Sequence, residues 1–570
     1  MTRKQLSAFV LLASSWLGAG FATAAPGAPE PAAGPPAVRK HLIYFRDKAN
    51  SPYSVTQPQA FLSARSLQRR TRQNIPVLPR DLPVNPSYVS QVKAVPGAQL
   101  LYTSRWFNAA MVSCDSVTLA QLQALPSVRS ATTLSRNQAT RSRKRDAEVE
   151  SQRGAQAEQL LSRADYGRAF RQADMIGAVA MHNANFRGEG MQIAVFDAGF
   201  PAVDVIPGFT SMLQERRLAS TFNFVDKTQA VFLRNNHGTA TLSTMAGNQP
   251  GYFIGTAPKA TYHLLITEDI NSEHPVEEAN WLVAAEYADS VGVDIISSSL
   301  GYTTFDFPSI DYTYNDLNGR TAISSRAATM AARVGILVVN SAGNEGGGPW
   351  RYISAPADAD SIMTVGAVDS LGNRAGFSSY GPTADGRIKP NLAAQGQATT
   401  FLNSAGVAVR GNGTSFSCPV LAGMIAGFWQ ANRNLTAQQV ISFMQRSGTR
   451  FTSPNNEVGY GIPHFVRAYN LANPSTPLAV STGAKTPDGL AVYPNPTRDG
   501  EMNLLLTPEF RGASLRIRLY DGRGSLVSEQ QLEAPNATQV QVRTGHLAKG
   551  QYTCLISNGK IQRTVRFEKI

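Results

Sequence analysis

The chain has 570 residues, a length that at about 150 residues per domain divides into three or four units and excludes a peptide-scale scaffold. Hydrophobic residues make up 42% and aromatics 8%, while charged residues reach only 16%, which excludes an intrinsically disordered or coiled-coil chain. The net charge of +13 would suit nucleic acid or an anionic membrane, but residues 1–160 hold 20 Lys+Arg against 8 Asp+Glu and residues 161–570 hold 33 against 32, so the basic excess belongs to the N-terminal segment and a nucleic-acid partner loses its support.

Arg3 and Lys4 precede an apolar run from Leu6 to Phe21 and the small-residue pattern Ala22-Thr23-Ala24, which reads as a signal peptide over 1–24 and as export from the cytoplasm. A lone membrane anchor is the alternative, and the run is short for one and ends in a cleavage pattern instead of a basic stop. No later stretch reaches about 18 uninterrupted apolar residues, so no transmembrane segment is expected in the mature protein. Cys114, Cys418 and Cys554 are odd in number and lack CxxC spacing, which indicates neither a zinc site nor a disulfide framework.

Within 25–134, after a Pro/Ala/Gly-rich spacer, strand-like runs (HLIYF, AQLLYT, NAAMVSC, VRSATTL) alternate with helix-like ones (PQAFLSARSLQRR, LAQLQAL), the order of a small α+β unit. Residues 135–165 are polar and basic, with RSRKR at 141–145, and read as an exposed linker of the kind proteases cut. From 166 to 472 the runs MQIAVF, VDIISSS, GILVVNSA and SIMTVGAV read as strands buried on both faces, with helical patterns such as HPVEEANWLVAAEYADS and AISSRAATMAARV supplying crossovers. The fold class is therefore α/β, a parallel sheet covered by helices, with an active site expected beyond the carboxyl ends of the strands. Residues 473–488 read as a second linker, and 489–570 hold short alternating runs with turn signals at Asp521-Gly522 and Asn558-Gly559, a small antiparallel β-sandwich.

Three segments of the α/β region carry residue types that acyl transfer needs. Asp197 directly follows the strand IAVF, where its carboxylate could orient an imidazole; singly, such an Asp is more often a cap or turn residue. His237 stands in NNHGTATLSTMAG at the start of a helical pattern, with Gly238 allowing close backbone approach. His41, His182, His263, His274, His464 and His546 have no such setting and read as structural or surface groups. Ser415 stands in GNGTSFSCPVLAG, where a glycine-rich turn feeds an apolar helix with Pro419 in or near its first turn. A helix N-terminus there favours the negative charge of a tetrahedral intermediate, although a plain Ser or Thr N-cap would look the same. Asn344 in SAGNEGG follows the strand ILVVN, and its amide could donate to a developing oxyanion or simply serve a turn.

The order Asp197, His237, Ser415, with Asn344 between the last two, is one of three linear orders of this mechanism. On the stretches IAVFDAGF, HGTA, DIISSSLG, VVNSAGNEG and GTSFSCP, the sequence resembles the subtilisin-like serine peptidases, or subtilases, over about 185–470. The resemblance implies Ser415 as nucleophile, His237 as general base, Asp197 as the group that holds the histidine tautomer, and an oxyanion hole of the Ser415 N–H and the Asn344 side chain. It further implies that Ser299, Leu300 and Gly301, with Ser341, Ala342 and Gly343, wall the pocket for the residue preceding the scissile bond, with the substrate added as an extended strand. The chain departs from the family pattern at Ala198, Ala240 and Phe416-Ser417; Phe416 leaves the local packing open. Cys418, three residues beyond Ser415, reads as a buried structural thiol.

The acidic set Glu268, Asp269, Glu273, Glu277 and Glu278 suggests calcium or a basic subsite, but the EF-hand spacing is missing and a solvated helix and loop face is the expectation. No cofactor is required for the chemistry; structural calcium occurs in some subtilases, with no ligands assignable here. The unit at 25–134 resembles subtilase propeptides, which chaperone and inhibit their enzymes. The C-terminal unit, with VYPNPTRDG, DGRG and LAKGQY, resembles the sorting domains of type IX secretion substrates. Together they imply a bacterial serine endopeptidase, made as a zymogen and secreted or displayed at the cell surface. Its expected partners are protein or peptide substrates, its own propeptide and the secretion machinery. An acyl-enzyme transferase or ligase, and a catalytically silent surface-binding protein, are the alternatives.

Overall fold

The computed structural model describes residues 37–136, 163–478 and 490–569, apart from 494, 496, 498, 499, 523, 534–536 and 538. The signal peptide expected at 1–24, the RSRKR run and most of both linkers lie outside the described residues. No helix among the described residues is long and apolar enough to cross a membrane.

The N-terminal unit is a four-stranded antiparallel sheet, in the order Gln99–Ser104, Ala109–Cys114, Arg39–Phe45, Val128–Arg136. These are the four runs read as strands; helices Ala64–Arg72 and Ser116–Gln123 also fall where expected, and Pro86–Ala94 is an additional helix. Asn85 accepts from the Ser87 N–H (2.9 Å) and Pro86 occupies the first helical position, a start signal carried by only two residues.

The central unit is built on seven parallel strands in the order Leu392–Gln395, Met363–Val368, Leu337–Ser341, Ile295–Ser298, Gln192–Asp197, Thr261–Ile266, Leu218–Asn223. Helices Pro275–Val291 and Ile323–Arg333 cover one face as crossovers, and helices His237–Ala246 and Thr414–Ala431 pack on the other. Both faces are apolar because both are covered, which is why the central strands read as continuous hydrophobic runs.

Trp281 joins the crossover helix to the strands that end at the site. Its buried ring meets Phe196 edge-on at 5.2 Å, and its Nε1–H donates to Ser298 Oγ at 3.0 Å. Phe196 precedes Asp197, and Ser298 precedes Ser299. Trp281→Ala is expected to cost about 3–5 kcal/mol, read as a lowered midpoint for the peptidase-domain transition in denaturant. A midpoint equal to wild type would show that neighbours close over the void.

The C-terminal unit has two antiparallel sheets, one of Ala491–Tyr493, Glu501–Leu505 and Gln539–Arg543, the other of Leu526–Leu532, Leu515–Tyr520, Gly550–Ser557 and Gln562–Lys569. Val492, Leu504 and Val542 of the first share one core with Ile517, Cys554 and Phe567 of the second, so the expected sandwich is present. The Asn558-Gly559 turn joins its last two strands.

Candidate active site

Asp197 ends the strand Gln192–Asp197 with its side chain fully buried. Its Oδ1 accepts from the Ala198 N–H at 2.8 Å and from His237 Nδ1 at 2.8 Å, and its Oδ2 accepts from Thr241 Oγ1 at 2.9 Å. Ala198 thus contributes through its backbone N–H. His237 begins the helix His237–Ala246, where Thr241 follows one turn later on the same face. Sequence reasoning missed Thr241; its spacing of four from the histidine is the signal that could have found it. A Cβ on Gly238 would meet Gly199 O at 2.3 Å and Asp197 Cβ at 2.9 Å, so only glycine lets this helix approach the strand end.

The His237 side chain is 34% exposed at the cleft edge. Burial lowers its pKa, but the Asp197 charge, the hydrogen bond to it and the field of Glu268 carry it above the ordinary imidazole value. The imidazolium therefore loses its proton at higher pH than a free imidazole does.

Ser415 is the second residue of the helix Thr414–Ala431, which packs against the His237 helix. Among the described residues, no hydrogen bond joins Ser415 Oγ to His237; the imidazole lies beside the neighbouring Phe416, ring centroids 6.4 Å apart. Such links are often long in free enzymes and tighten with substrate. Phe416 stacks on Phe401 at 4.5 Å in a small apolar cluster with Ala240 and Val409, so two family departures, Phe416 and Ala240, pack together as a wall next to the imidazole.

Pro419 is the sixth residue of that helix, past its first turn, and has no N–H to give to the Ser415 carbonyl. Ser299 Oγ supplies the missing donor at 2.9 Å. The Ser415 N–H itself has no acceptor among the described residues. Asn344 is exposed, and its Oδ1 is held by the Thr414 N–H at 2.8 Å and Thr414 Oγ1 at 3.0 Å, which leaves its Nδ2 as the outward donor. Thr414 was not singled out from sequence, yet it fixes the amide's orientation. Two unengaged donors thus stand at the start of an 18-residue helix, where its dipole favours a developing anion.

Ser299-Leu300-Gly301 and Ser341-Ala342-Gly343 leave the carboxyl ends of paired strands, Ser298 opposite Asn340. Asn340 Nδ2 donates to Leu300 O at 3.1 Å and ties the two segments together. Gly301 is exposed, and its N–H and C=O have no partner among the described residues, which leaves a strand edge open to an extended chain.

The acidic set departs from expectation. Glu277 and Glu278 are buried, and Glu268 and Glu273 half-buried, so this is no solvated face. Glu277 accepts from the His274 and Asp269 N–H groups as a capping box, and Glu278 from Ser324 and Tyr312. Glu268 accepts from Tyr302 OH at 2.6 Å, and burial pushes its pKa up to about 7. No group of three or more His, Cys, Asp or Glu among the described residues is placed to hold a metal ion. Cys418 is buried with its thiol on Ser298 O and Val339 O, and burial pushes its pKa up to about 12, as befits a structural thiol.

Glu268→Gln keeps an acceptor for Tyr302 and removes a negative charge that holds the His237 proton. The acid limb of kcat/KM is expected to move to lower pH, because one of the charges that raises the His237 pKa is gone. A limb that stays in place would show that the Glu268 field does not reach the imidazole.

Residues 188–461 match the subtilase family, residues 40–150 the peptidase S8 propeptide domain of Bacteroidota, and residues 491–568 the secretion system C-terminal sorting domain. The chain carries a subtilase domain. It is 27% identical over 288 residues to a thermostable alkaline protease of Halalkalibacterium halodurans, covering 50% of this chain and 70% of that protein. It is 28% identical over 281 residues to subtilisin Savinase of Lederbergia lenta, covering 49% and 91%, and 28% identical over 287 residues to subtilisin DY of Bacillus licheniformis, covering 50% and 91%. The subtilase domain is thus a serine endopeptidase, preceded by its propeptide and followed by a sorting domain that marks an exported or cell-surface protein.

Proposed function

We propose that this subtilase cleaves protein substrates through an acyl-enzyme on Ser415, after export by an N-terminal signal peptide. The Ser415 hydroxyl attacks the scissile carbonyl while His237 Nε2 takes its proton. His237 then passes that proton to the leaving amine, and water hydrolyses the ester with the histidine again as base. Asp197 keeps the imidazole in the Nδ1–H form and stabilises the imidazolium. The Ser415 N–H and Asn344 Nδ2 receive the oxyanion, and the substrate backbone adds to the edge at Gly301. These steps draw on protein groups alone, and the buried acids are not assigned as calcium ligands.

The observation that carries the reading is the hydrogen bond of 2.8 Å between buried Asp197 and His237, on a helix packed against the one that carries Ser415 in its first turn. The test is fluorophosphonate labelling of the processed protein, with the adduct located by mass spectrometry, alongside casein cleavage. An adduct on Ser415 together with cleavage is the expected result. Absence of both favours a silent binding protein, and an adduct without cleavage points to a narrow peptidase or a transferase.

A further inference from the structure

On the sheet edge opposite the catalytic residues, the propeptide helix Ala64–Arg72 sets its arginines against the carboxyl-terminal ends of both crossover helices. That edge is identified by its contacts: Arg65 Nη2 donates to Gly190 O at 2.9 Å, and Asp294, the residue before Ile295–Ser298, accepts from the Gln192 N–H at 3.0 Å. A strand of four to six residues at about 3.3 Å each separates it from the catalytic groups.

Helix ends leave carbonyls without donors and favour cations. Here the donors come from the propeptide: Arg65 Nε to Gly292 O (3.0 Å), Arg69 Nη1 to Val293 O (2.7 Å), Arg69 Nε to Val334 O (3.3 Å) and Gln73 Nε2 to Gly335 O (2.7 Å). Gly292 has φ +90°, and a Cβ there would lie 2.7 Å from Arg65 Cβ and from the Ser66 N, so the helix ends in a residue that admits the propeptide backbone.

Asp289 is fully buried, and its carboxylate is hydrogen-bonded by Ser66, Arg69, Arg70 and Arg105. Glu286, also buried, accepts from Ser104 Oγ and from the N–H groups of Arg105 and Trp106. Among the described residues no group of the peptidase domain bonds to either carboxylate.

Resting on the propeptide match, we propose that this recess is a second, non-catalytic recognition site: Asp289 and two helix ends read arginine side chains, Glu286 takes the neighbouring Ser104 hydroxyl and backbone N–H groups, and together they hold the propeptide after the chain is cut. Withdrawal of the propeptide has to break its bonds to two carboxylates and four carbonyls together, which slows its departure. The forked guanidinium suits the recess because one side chain, Arg69, serves a carboxylate and two carbonyls together; a lysine has a single ammonium to offer. The arginines that dominate the helix ARSLQRRTR are thereby the address that the peptidase recognises.

The test uses the full chain carrying Ser415→Ala, which has no nucleophile, so its outcome is independent of the peptidase reading. Limited trypsin cuts the basic segment at 141–145, the peptidase is held through a C-terminal tag, and release of the propeptide fragment is followed by mass spectrometry. The parent fragment is expected to stay bound, and Arg69→Met to release it roughly a hundredfold faster, with Arg69→Lys recovering only part of the retention. These changes lie in the propeptide, so the peptidase left behind has one sequence throughout. Should Arg69→Met not fold, Arg65→Met, at a side chain 30% exposed, takes its place with an expected tenfold effect. A parent fragment that falls away on cutting, or arginine variants that release at the parental rate, overturns the proposal and leaves retention to the propeptide sheet, whose Leu42, Tyr44 and Met111 share a core with the crossover helices.

Discussion

Ser415→Ala is expected to lower kcat on a peptide substrate by about 10⁶-fold and to abolish fluorophosphonate labelling, with no loss of stability. The size follows from the proposed mechanism, in which Ser415 Oγ is the atom that bonds covalently to substrate; without it the proton path through His237 has nothing to act on. Stability is spared because Ser415 Oγ has no hydrogen-bond partner among the described residues, so alanine strands no buried polar group. The backbone N–H of residue 415 and Asn344 Nδ2 remain, which leaves a residual acceleration over water of about 10³–10⁴. Steady-state kinetics with an unfolding curve would check both halves. Activity within tenfold of wild type would remove Ser415 from the mechanism.

Asp197→Asn is expected to lower kcat by about 10⁴-fold without disturbing the fold. The asparagine oxygen can keep the Ala198 N–H at the Oδ1 position, and Thr241 Oγ1, which also donates to Gly238 O at 3.1 Å, can turn to accept from an amide nitrogen at Oδ2. The lost quantity is then the negative charge opposite the imidazolium that forms during attack. Because that charge also raises the His237 pKa, the remaining activity should show its acid limb at lower pH than wild type. Near-wild-type kcat with an unmoved limb would mean that Asp197 serves the fold alone.

The motifs were legible because each lies in one short stretch. The apolar runs before Asp197 and through VVNSA mark strands covered on both sides, and a glycine-rich turn before an apolar helix marks the start at Thr414. Leu218–Asn223, Thr261–Ile266 and Leu392–Gln395 were not read as strands, although they complete the sheet. LASTFN is an edge strand that mixes polar and apolar residues without a clean alternation, TYHLLI carries a histidine, and LAAQ is short with two alanines. Their pairing with neighbours places them, and no local pattern announces it.

Charged side chains show the same division more sharply. From sequence alone, Glu277 and Glu278 look like a wet helix face and the arginines of Ala64–Arg72 look like basic excess, since either is the usual fate of such residues. The chain itself determined the candidate catalytic residue types, their order, the helix start beside Ser415 and the three-part plan of propeptide, peptidase and sorting domain. Only the tertiary structure decided that Thr241 and Thr414 hold the site in place, that the glutamates are buried against tyrosines and N–H groups, and that Arg69 lies against Asp289, 220 residues away. A hydrophobic run carries its burial in its own composition, whereas a charge can be buried only where a partner from elsewhere in the chain arrives to meet it.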